Sequence, residues 1–303
     1  VAQDAHSATL KRQLDETTYY VRLAWEGDAK LSEKEKHYFV LTPQSGDTLS
    51  FTCLFTSAEP TGENLSFDTL LASASRYWNN YWLRGGIVDF SHCKDQRAPE
   101  LERRVVLSQY LMAIQCAGSV PPQESGLTYN TWFGKFHLEM HWWHGAHFAL
   151  WGRPELLERS LAWYRDSAYD NARAIAERQG FKGIGWMKVS DPSAIEAPSK
   201  VGSFLIWQQP HFIYMAELIY RANPSQEVIE RYKDLVAETA EFMYSFATYD
   251  ELEGRFVLKG AIPAQETLRA AETVNPPFEL SYWHYAISVA QKWRERQGLQ
   301  RNL

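Results

Sequence analysis

The chain has 303 residues, of which 45% are hydrophobic, and a formal net charge of −6. This apolar content supports a folded core and argues against disorder. The acidic balance, without a long basic run, disfavours nucleic-acid binding. No run of 18 apolar residues is present, so the sequence predicts no transmembrane helix. The three cysteines lie far apart, and their odd number argues against a complete disulfide framework.

The first part of the chain favours β-structure. Short runs rich in Thr, Tyr, Phe and Val, separated by turn residues, predict strands at Thr17–Trp25, His37–Leu41 and Asp47–Thr56. The alternation of Leu49, Phe51, Cys53 and Phe55 predicts one buried face on the last of these. Three or four strands are too few for an independent sandwich. They either cover another part of the molecule or are the end of a larger β domain.

From about Ser66 the apolar spacing changes to three or four residues, which predicts helices. The first covers Ser66–Trp82, and others are predicted at Glu100–Ala117, Phe136–Trp151, Pro154–Gln179, Trp207–Arg221, Ser225–Phe246 and Phe278–Gln297. Pro154 and Pro224 lie near helix starts, and Gly180 and Gly298 follow helix ends. The loops between these helices are long and carry Trp, Glu, Lys and Gln, which is typical of functional loops.

The stretch Asn130–Arg153 packs four tryptophans around four histidines and one acid, Glu139. An indole can stack on the C–H face of a sugar ring while acids, amides and imidazoles bind the hydroxyls, so this composition favours carbohydrate binding over an aromatic helical core. His137 and His141 have the spacing of a metal pair. The HExxH zinc motif needs Glu directly after the first His, however, and Leu138 stands there, so no metal site is predicted.

Four segments carry a resemblance to a known family. They are GKFHLEMHWW with the following FALWGRPELLERSLAWYR, then KGIGWMKVSDPSAIEAPS, then SFLIWQQPHFIYMAELIYR, and finally KGAIPAQE with TVNPPFELSYWHYAISVA. In order and spacing, from about Pro99 to the end, they resemble the six-hairpin glycosidases, particularly glycoside hydrolase family 65 and its relatives. The resemblance implies a mainly α fold of (α/α)6-toroid-type helical hairpins, incomplete here, preceded by a few antiparallel β-strands from a β-sandwich.

The same resemblance implies a domain organisation. Residues 1–65 would be the C-terminal part of a β-sandwich domain, 66–98 a linker helix and loop, and 99–303 the first half of the catalytic barrel. The remainder of the polypeptide, or a partner chain, would complete that barrel. The compartment is not fixed by the sequence, and a secreted or periplasmic location is slightly favoured.

The activity implied by the resemblance is inverting acid/base cleavage of a glycosidic bond, as a hydrolase or a phosphorylase. The family's general acid corresponds to Glu266, although PAQE replaces the family's GPDE and FHLE replaces the Trp–Asp that often precedes its first acid. Sugar specificity is therefore left open. The candidate substrate-binding residues are Trp132, Glu139, Trp186, Lys188, Glu196, Gln208, Gln209 and His211.

The sequence predicts an oligosaccharide or glycoside as substrate and no cofactor. We expect Trp132, Glu139, Trp186, Gln208 and Glu266 to converge on one cavity. Two alternatives stay open: a non-catalytic carbohydrate-binding helical protein, and an α/α-toroid polysaccharide lyase. The lyase would act on a uronic acid and prefer a basic cleft, which the acidic net charge weakly opposes.

Overall fold

The computed structural model describes residues 1–199 and 201–302, apart from the side chain of residue 203. The chain divides into two compact units, Val1–Leu83 and Arg84–Leu303. The first unit is mainly β and the second is mainly α, so the molecule is mainly helical with a few antiparallel strands, as expected.

The first unit contains an antiparallel sheet with the strand order β1-β2-β3-β6, a β4–β5 hairpin and one helix. Its elements are β1 Ala2–Gln3, β2 Ser7–Leu14, β3 Thr17–Trp25, β4 Ala29–Glu35, β5 Tyr38–Pro43, β6 Phe51–Thr56 and α1 Phe67–Leu83. Alternate residues of β2, β3 and β4 point to one core, which is formed by Ala8, Leu10, Trp25, Ala29 and Leu31.

Three strands of this unit, β1, β2 and β4, were not predicted, and one predicted feature was wrong. In β2 and β4, charged residues interrupt the apolar alternation. The predicted buried face of β6 is exposed, with Phe51 at 48% and Phe55 at 67%. Phe51 pairs with Trp25 of β3, and Phe55 pairs with Val21, so all four side chains lie on one face of the sheet. Because β6 is the edge strand of the sheet, Phe51 and Phe55 lie beyond the residues that cover Trp25.

The second unit is built from helical hairpins with short strand pairs in the loops. Its elements are α2 Ala98–Cys116, β7 Phe136–His137, α3 Leu138–Leu150, α4 Pro154–Asp166, α5 Tyr169–Arg178, β8 Val189–Ser190, α6 His211–Ala222, α7 Gln226–Phe246, β9 Thr248–Asp250, β10 Arg255–Val257 and α8 Pro277–Arg296. Single turns of 3-10 helix lie at Trp132–Gly134 and Gly202–Phe204. Two connections of three residues, between α3 and α4 and between α6 and α7, make each of these pairs an antiparallel hairpin.

Helices α3, α6 and α8 lie side by side and run in the same direction. Along α6 and α8, Tyr214 contacts Tyr285 at a ring-centroid distance of 5.6 Å, and Tyr220 contacts Trp293 at 5.8 Å. Along α3 and α6, Trp142 contacts Tyr214 at 5.5 Å. Contacts that advance together along both helices require a parallel pair. A row of parallel helices joined through antiparallel return helices is the arrangement expected for toroid-type hairpins.

The single helix predicted for Pro154–Gln179 is instead two helices, α4 and α5. The amides of Ser167 and Ala168 both bond to the Trp163 carbonyl, which closes the last turn of α4. Asp166 and Ser167 are weak helix formers, since their short polar side chains compete with the backbone for hydrogen bonds. The other helix predictions agree with the structure to within a few residues at each end, apart from α6, which begins four residues later than expected.

The hairpin of α3 and α4 encloses a buried histidine, His141, which is 1% exposed. Its Nδ1 and Nε2 lie 2.9 and 2.8 Å from the hydroxyls of Tyr164 and Ser160. Because Ser160 donates to the Leu157 carbonyl, it accepts from Nε2, and Nδ1 accepts from Tyr164. Burial, reinforced by His144 and His211, lowers the pKa of His141 to about 3. The ring is therefore neutral in the folded protein.

This neutral ring predicts a pH-dependent stability. Between the ordinary histidine pKa of 6.5 and about 3, the unfolded chain binds a proton that folded His141 resists, so the free energy of unfolding falls as the pH falls. We expect His141→Gln to show a smaller fall than the parent between pH 7 and pH 5. Urea denaturation at both pH values measures this difference. The exposed His92→Gln should keep the parent's pH dependence, and an unchanged dependence in His141→Gln would contradict the assignment.

Candidate active site

The N-terminal ends of α3, α6 and α8 are joined by one side chain, His211. Its Nε2 lies 2.9 Å from the Glu139 backbone carbonyl in α3, and its Nδ1 lies 2.9 Å from the Tyr282 hydroxyl in α8. A carbonyl only accepts, so Nε2 donates and Nδ1 accepts from Tyr282. Burial lowers the pKa of His211 to about 3, and the bond to Glu139 only partly opposes this. The neutral ring therefore links the N-terminal ends of three helices through its two hydrogen bonds.

A short strand pair places Lys188 beside the start of α3. Strands β7 and β8 pair antiparallel, and the Leu138 amide donates to the Lys188 carbonyl at 3.0 Å. Glu139 stands in the first turn of α3, where the helix dipole favours a negative charge. This pairing therefore brings together a lysine and a glutamate that lie 49 positions apart in the sequence.

The loop that carries Glu266 is anchored at two points. Ile262 makes an isolated parallel bridge with Leu205, supported by its contact to the Ile206 amide at 3.2 Å. The Ala264 amide donates to the carboxylate of Glu279, a 2% exposed residue near the start of α8. These anchors hold Glu266 at the same end of the helices as Glu139.

Lys188 lies between the two carboxylates. Its Nζ is 2.5 Å from Glu266 Oε1 and 3.4 Å from Glu139 Oε1. Partial burial alone would lower the pKa of Lys188, but the hydrogen bond to Glu266 and the charges of Glu139 and Glu266 outweigh it, and the pKa is raised. The lysine is therefore a permanent ammonium at neutral pH.

Two residues that were not predicted complete the group. His137 Nδ1 lies 3.6 Å from Glu139 Oε1 and 3.7 Å from Glu124 Oε2. The imidazole is 4% exposed, and neither ring nitrogen has a hydrogen-bond partner among the described residues. We call Glu124, His137, Glu139, Lys188 and Glu266 the carboxylate cluster. The long Pro-containing loop before Glu124 was expected to be functional. The bridge between Gln123 and Phe136, together with the contact of His144 Nε2 to the Glu124 carbonyl at 2.8 Å, places Glu124 beside His137.

An exposed aromatic side chain lies next to the carboxylate cluster. Trp132 is 62% exposed, and its ring centroid is 6.1 Å from that of His137. Trp132 and Phe133 have φ values of 49° and 61°, a left-handed conformation that non-glycine residues adopt at a cost of about 1–3 kcal/mol each. Strain of this kind, in a loop that presents an indole to solvent, is typical of a binding loop.

Three residues predicted to contact substrate are hydrogen-bonded within the protein itself. Trp186 is 1% exposed and donates from Nε1 to Thr239 Oγ1, so it has no free face for a sugar. Gln209 accepts from the Trp186 amide at 2.7 Å and donates to the Trp186 carbonyl at 2.8 Å. Gln208 donates to the same carbonyl at 3.0 Å. These amides bind the backbone of the loop before Lys188 and support the site from behind.

Two other predicted contacts have structural partners. Both ring nitrogens of His211 are occupied by Glu139 and Tyr282, so it positions helices and has no nitrogen left for a hydroxyl. Glu196 pairs with Arg178 of α5 at 2.8 Å. In the structure, His211 therefore links helices and Glu196 pairs with α5, and a substrate contact for either residue stays a prediction.

The structure thus brings Glu139, Lys188 and Glu266 together beside Trp132, and it places Trp186 and Gln208 in the support behind them. These residues line neither of two cavities in the described part of the second unit, about 280 Å³ beside Trp151 and about 470 Å³ beside Phe204. Within the carboxylate cluster, the side chains of His137, Glu139 and Lys188 are nearly buried, while that of Glu266 is 37% exposed.

Within residues 1–199 and 201–302, no group of three or more His, Cys, Asp or Glu side chains is placed to hold a metal ion. In the same described part, none of the helices combines the length and apolar character that crossing a membrane requires.

The comparisons with known proteins identify a shared fold. No protein-family model matches the chain, and no curated protein matches its sequence. A solved structure described as "Putative kojibiose phosphorylase from human microbiome" matches with a TM-score of 0.71 and 12% sequence identity. The match covers 99% of this chain and 42% of that one, so the chain spans less than half the length of its structural relative. At this identity the likeness confirms the resemblance at the level of the fold, and membership of glycoside hydrolase family 65 stays a prediction.

The contrast between Trp186 and Trp132 gives a stability test. We expect Trp186→Ala to lower the free energy of unfolding by about 3–5 kcal/mol, because a buried indole is lost and a cavity remains. Trp132→Ala should change it by about 0.5 kcal/mol or less, since most of that side chain is already in water. Urea denaturation followed by circular dichroism measures both, and equal losses in the two variants would contradict their placement.

Proposed function

We propose that the chain belongs to a carbohydrate-active enzyme that cleaves a glycosidic bond. Glu266 acts as the general acid, Glu139 binds sugar hydroxyls, and Trp132 stacks on the sugar ring. The observation that carries the proposal is the meeting of Glu139 and Glu266 at Lys188 beside the exposed Trp132. The shared fold with a structure described as a phosphorylase supports the same class of activity.

The proposed reaction passes through an oxocarbenium-like transition state. The carboxylic acid of Glu266 protonates the leaving oxygen, while the stacked indole and the Glu139 carboxylate hold the sugar. Both carboxylates contact one ammonium group, so their nearest oxygens lie less than about 6 Å apart.

That separation bears on the role of Glu139. Inverting enzymes separate their two carboxyl groups by about 6.5–9.5 Å to admit a water molecule. Glu139 and Glu266 meet at one ammonium group, and we assign Glu139 a hydroxyl-binding role instead of that of the base. In the inverting mechanism that we propose, the group that activates water, or the phosphate of a phosphorylase, acts from outside the carboxylate cluster. The rest of the polypeptide or a partner chain would supply it.

A non-catalytic carbohydrate-binding protein is the second candidate. It is favoured by the ion pair between Lys188 and Glu266, because a carboxylate held by an ammonium is a poor proton donor while the pair persists. A lyase that acts on a uronic acid has less support. Glu124, Glu139 and Glu266 would repel the substrate carboxylate, and Lys188 alone would offset them.

The acid role predicts the behaviour of Glu266→Gln in the intact protein. The amide keeps size and hydrogen bonding but carries no proton to give, so turnover of an oligosaccharide should fall by about 10²–10⁴-fold with little change in sugar binding. Steady-state kinetics and isothermal titration calorimetry measure the two quantities separately.

A substrate with a good leaving group provides the control. A glycosyl fluoride needs little protonation, so it should partly restore the turnover of Glu266→Gln. Full activity of this variant on natural glycosides would show that another group is the acid. If both the intact parent protein and Glu266→Gln bind sugar equally well and neither turns it over, the non-catalytic candidate is favoured.

The stacking role predicts a different outcome for Trp132→Ala. Loss of the indole should weaken sugar binding through the lost contact area while the acid stays in place. We expect the rise in KM to be larger than the fall in kcat. Phe133→Ala, which removes the neighbouring exposed ring, is the matched control, and an equal loss of binding in both variants would argue against a specific role for Trp132.

A further inference from the structure

We propose that Lys188 is a positioning residue shared between Glu266 and Glu139, and that its choice of partner controls whether Glu266 can hold a proton. In the structure the ammonium contacts Glu266, which is the resting arrangement. Transfer of the ammonium to Glu139 would release Glu266 for acid catalysis. The inference rests on the proposed function of Glu266, and it adds a control step to that function.

The geometry permits this exchange without movement of the backbone. The Lys188 carbonyl is held by the Leu138 amide at 3.0 Å, and the next residue, Val189, belongs to β8. Only the side chain is free to turn. Its Nζ is 2.5 Å from Glu266 and 3.4 Å from Glu139, so a displacement of less than about 1 Å makes Glu139 the closer partner. Further rotation of the four-carbon side chain in the same direction ends the contact with Glu266.

The two partners differ in their exposure to water. The Glu139 side chain is 12% exposed and the Glu266 side chain is 37% exposed. An ion pair is less screened where less water surrounds it, so the ammonium loses little attraction when it turns to Glu139. A sugar that covers Glu266 removes water there and makes the ionised carboxylate less favourable.

Other charged groups face the same place. His137 Nδ1 lies 3.6 Å from the Glu139 oxygen that Lys188 approaches, and 3.7 Å from Glu124 Oε2. Two carboxylates therefore share the Lys188 ammonium, and a third lies near the same imidazole nitrogen as Glu139. Because one ammonium cannot pair fully with both Glu139 and Glu266, its position decides which of the two is stabilised as an anion.

The proton balance of the step is simple. When Lys188 turns to Glu139, the Glu266 carboxylate takes one proton from solvent, and it later gives that proton to the leaving glycosidic oxygen. Lys188 keeps its own three protons throughout. Its raised pKa, the net result of attraction by Glu266 and Glu139 over the opposing effect of burial, is consistent with this permanent charge.

The pH profile of kcat in the intact protein tests the inference. Lys188→Met removes the cation that opposes protonation of Glu266, so the alkaline limb of the profile should move to higher pH by about one unit. Lys188→Gln should show the same shift, while Lys188→Arg keeps a cation and should retain the parent limb. Lys182→Met, at an exposed lysine six residues earlier, is the matched control and should leave the profile unchanged.

A second substrate separates a charge effect from structural damage. With a glycosyl fluoride the leaving group needs little protonation, so Lys188→Met should not move the limb. The inference is overturned if Lys188→Met and Lys188→Gln keep the parent limb, or if Lys188→Arg shifts it as far as they do. If Glu266→Gln keeps full activity, the proposed function of Glu266 fails instead, which distinguishes the two failures.

Discussion

The arrangement of this site depends on one buried imidazole that has to stay neutral. His211 joins α6 to the backbone of α3 and to a tyrosine of α8. Protonation would place a positive charge on a ring that is 4% exposed, and burial opposes it. The three parallel helices therefore present their N-terminal ends at one level. Residues carried on those ends, or on the loops before them, meet without any contiguity in sequence.

Lys188 and its two carboxylate partners dominate the electrostatics of the site among the described residues. The dipole of α3 favours a carboxylate in its first turn, which helps to stabilise Glu139 in a nearly buried position. Glu266 lies on an exposed loop and Glu124 on a half-buried one, and neither stands in the first turn of a helix. One ammonium group therefore contacts two carboxylates. An anionic field of this kind suits a positively charged transition state better than a negatively charged substrate.

The sequence predicts the scaffold better than it predicts the site. Helix identity follows from apolar spacing together with Pro154 and Gly180 at the ends, all of which are local signals. The exposure of a loop tryptophan is not local: Trp132 and Trp186 both stand in aromatic loops, yet one faces solvent and the other is packed against Tyr164 and Phe212. No spacing rule distinguishes them, because the difference is set by helices distant in sequence.

The same limit explains the missed and misassigned polar residues of the site. The positions of Glu124 and His137 beside Glu139 depend on the pairing of β7 with β8 and on the bridge from β7 to the preceding loop. Neither pairing can be predicted from local sequence. Gln209 has the chemistry to bind a sugar hydroxyl bidentately, but a backbone amide and carbonyl offer it the same donor and acceptor pattern. The chemistry of a side chain alone therefore does not predict whether it will bind a ligand or the protein's own backbone.

The two hydrogen bonds between Gln209 and Trp186 fix the loop that leads to Lys188. An amide side chain that both donates to and accepts from the backbone of one residue restricts the movement of that residue, and the Trp186 indole is itself buried. Trp132 and Glu266, in contrast, are exposed and stand on loops. Sequence changes in those loops can therefore alter the exposed surface while Gln209 keeps the backbone before Lys188 in place.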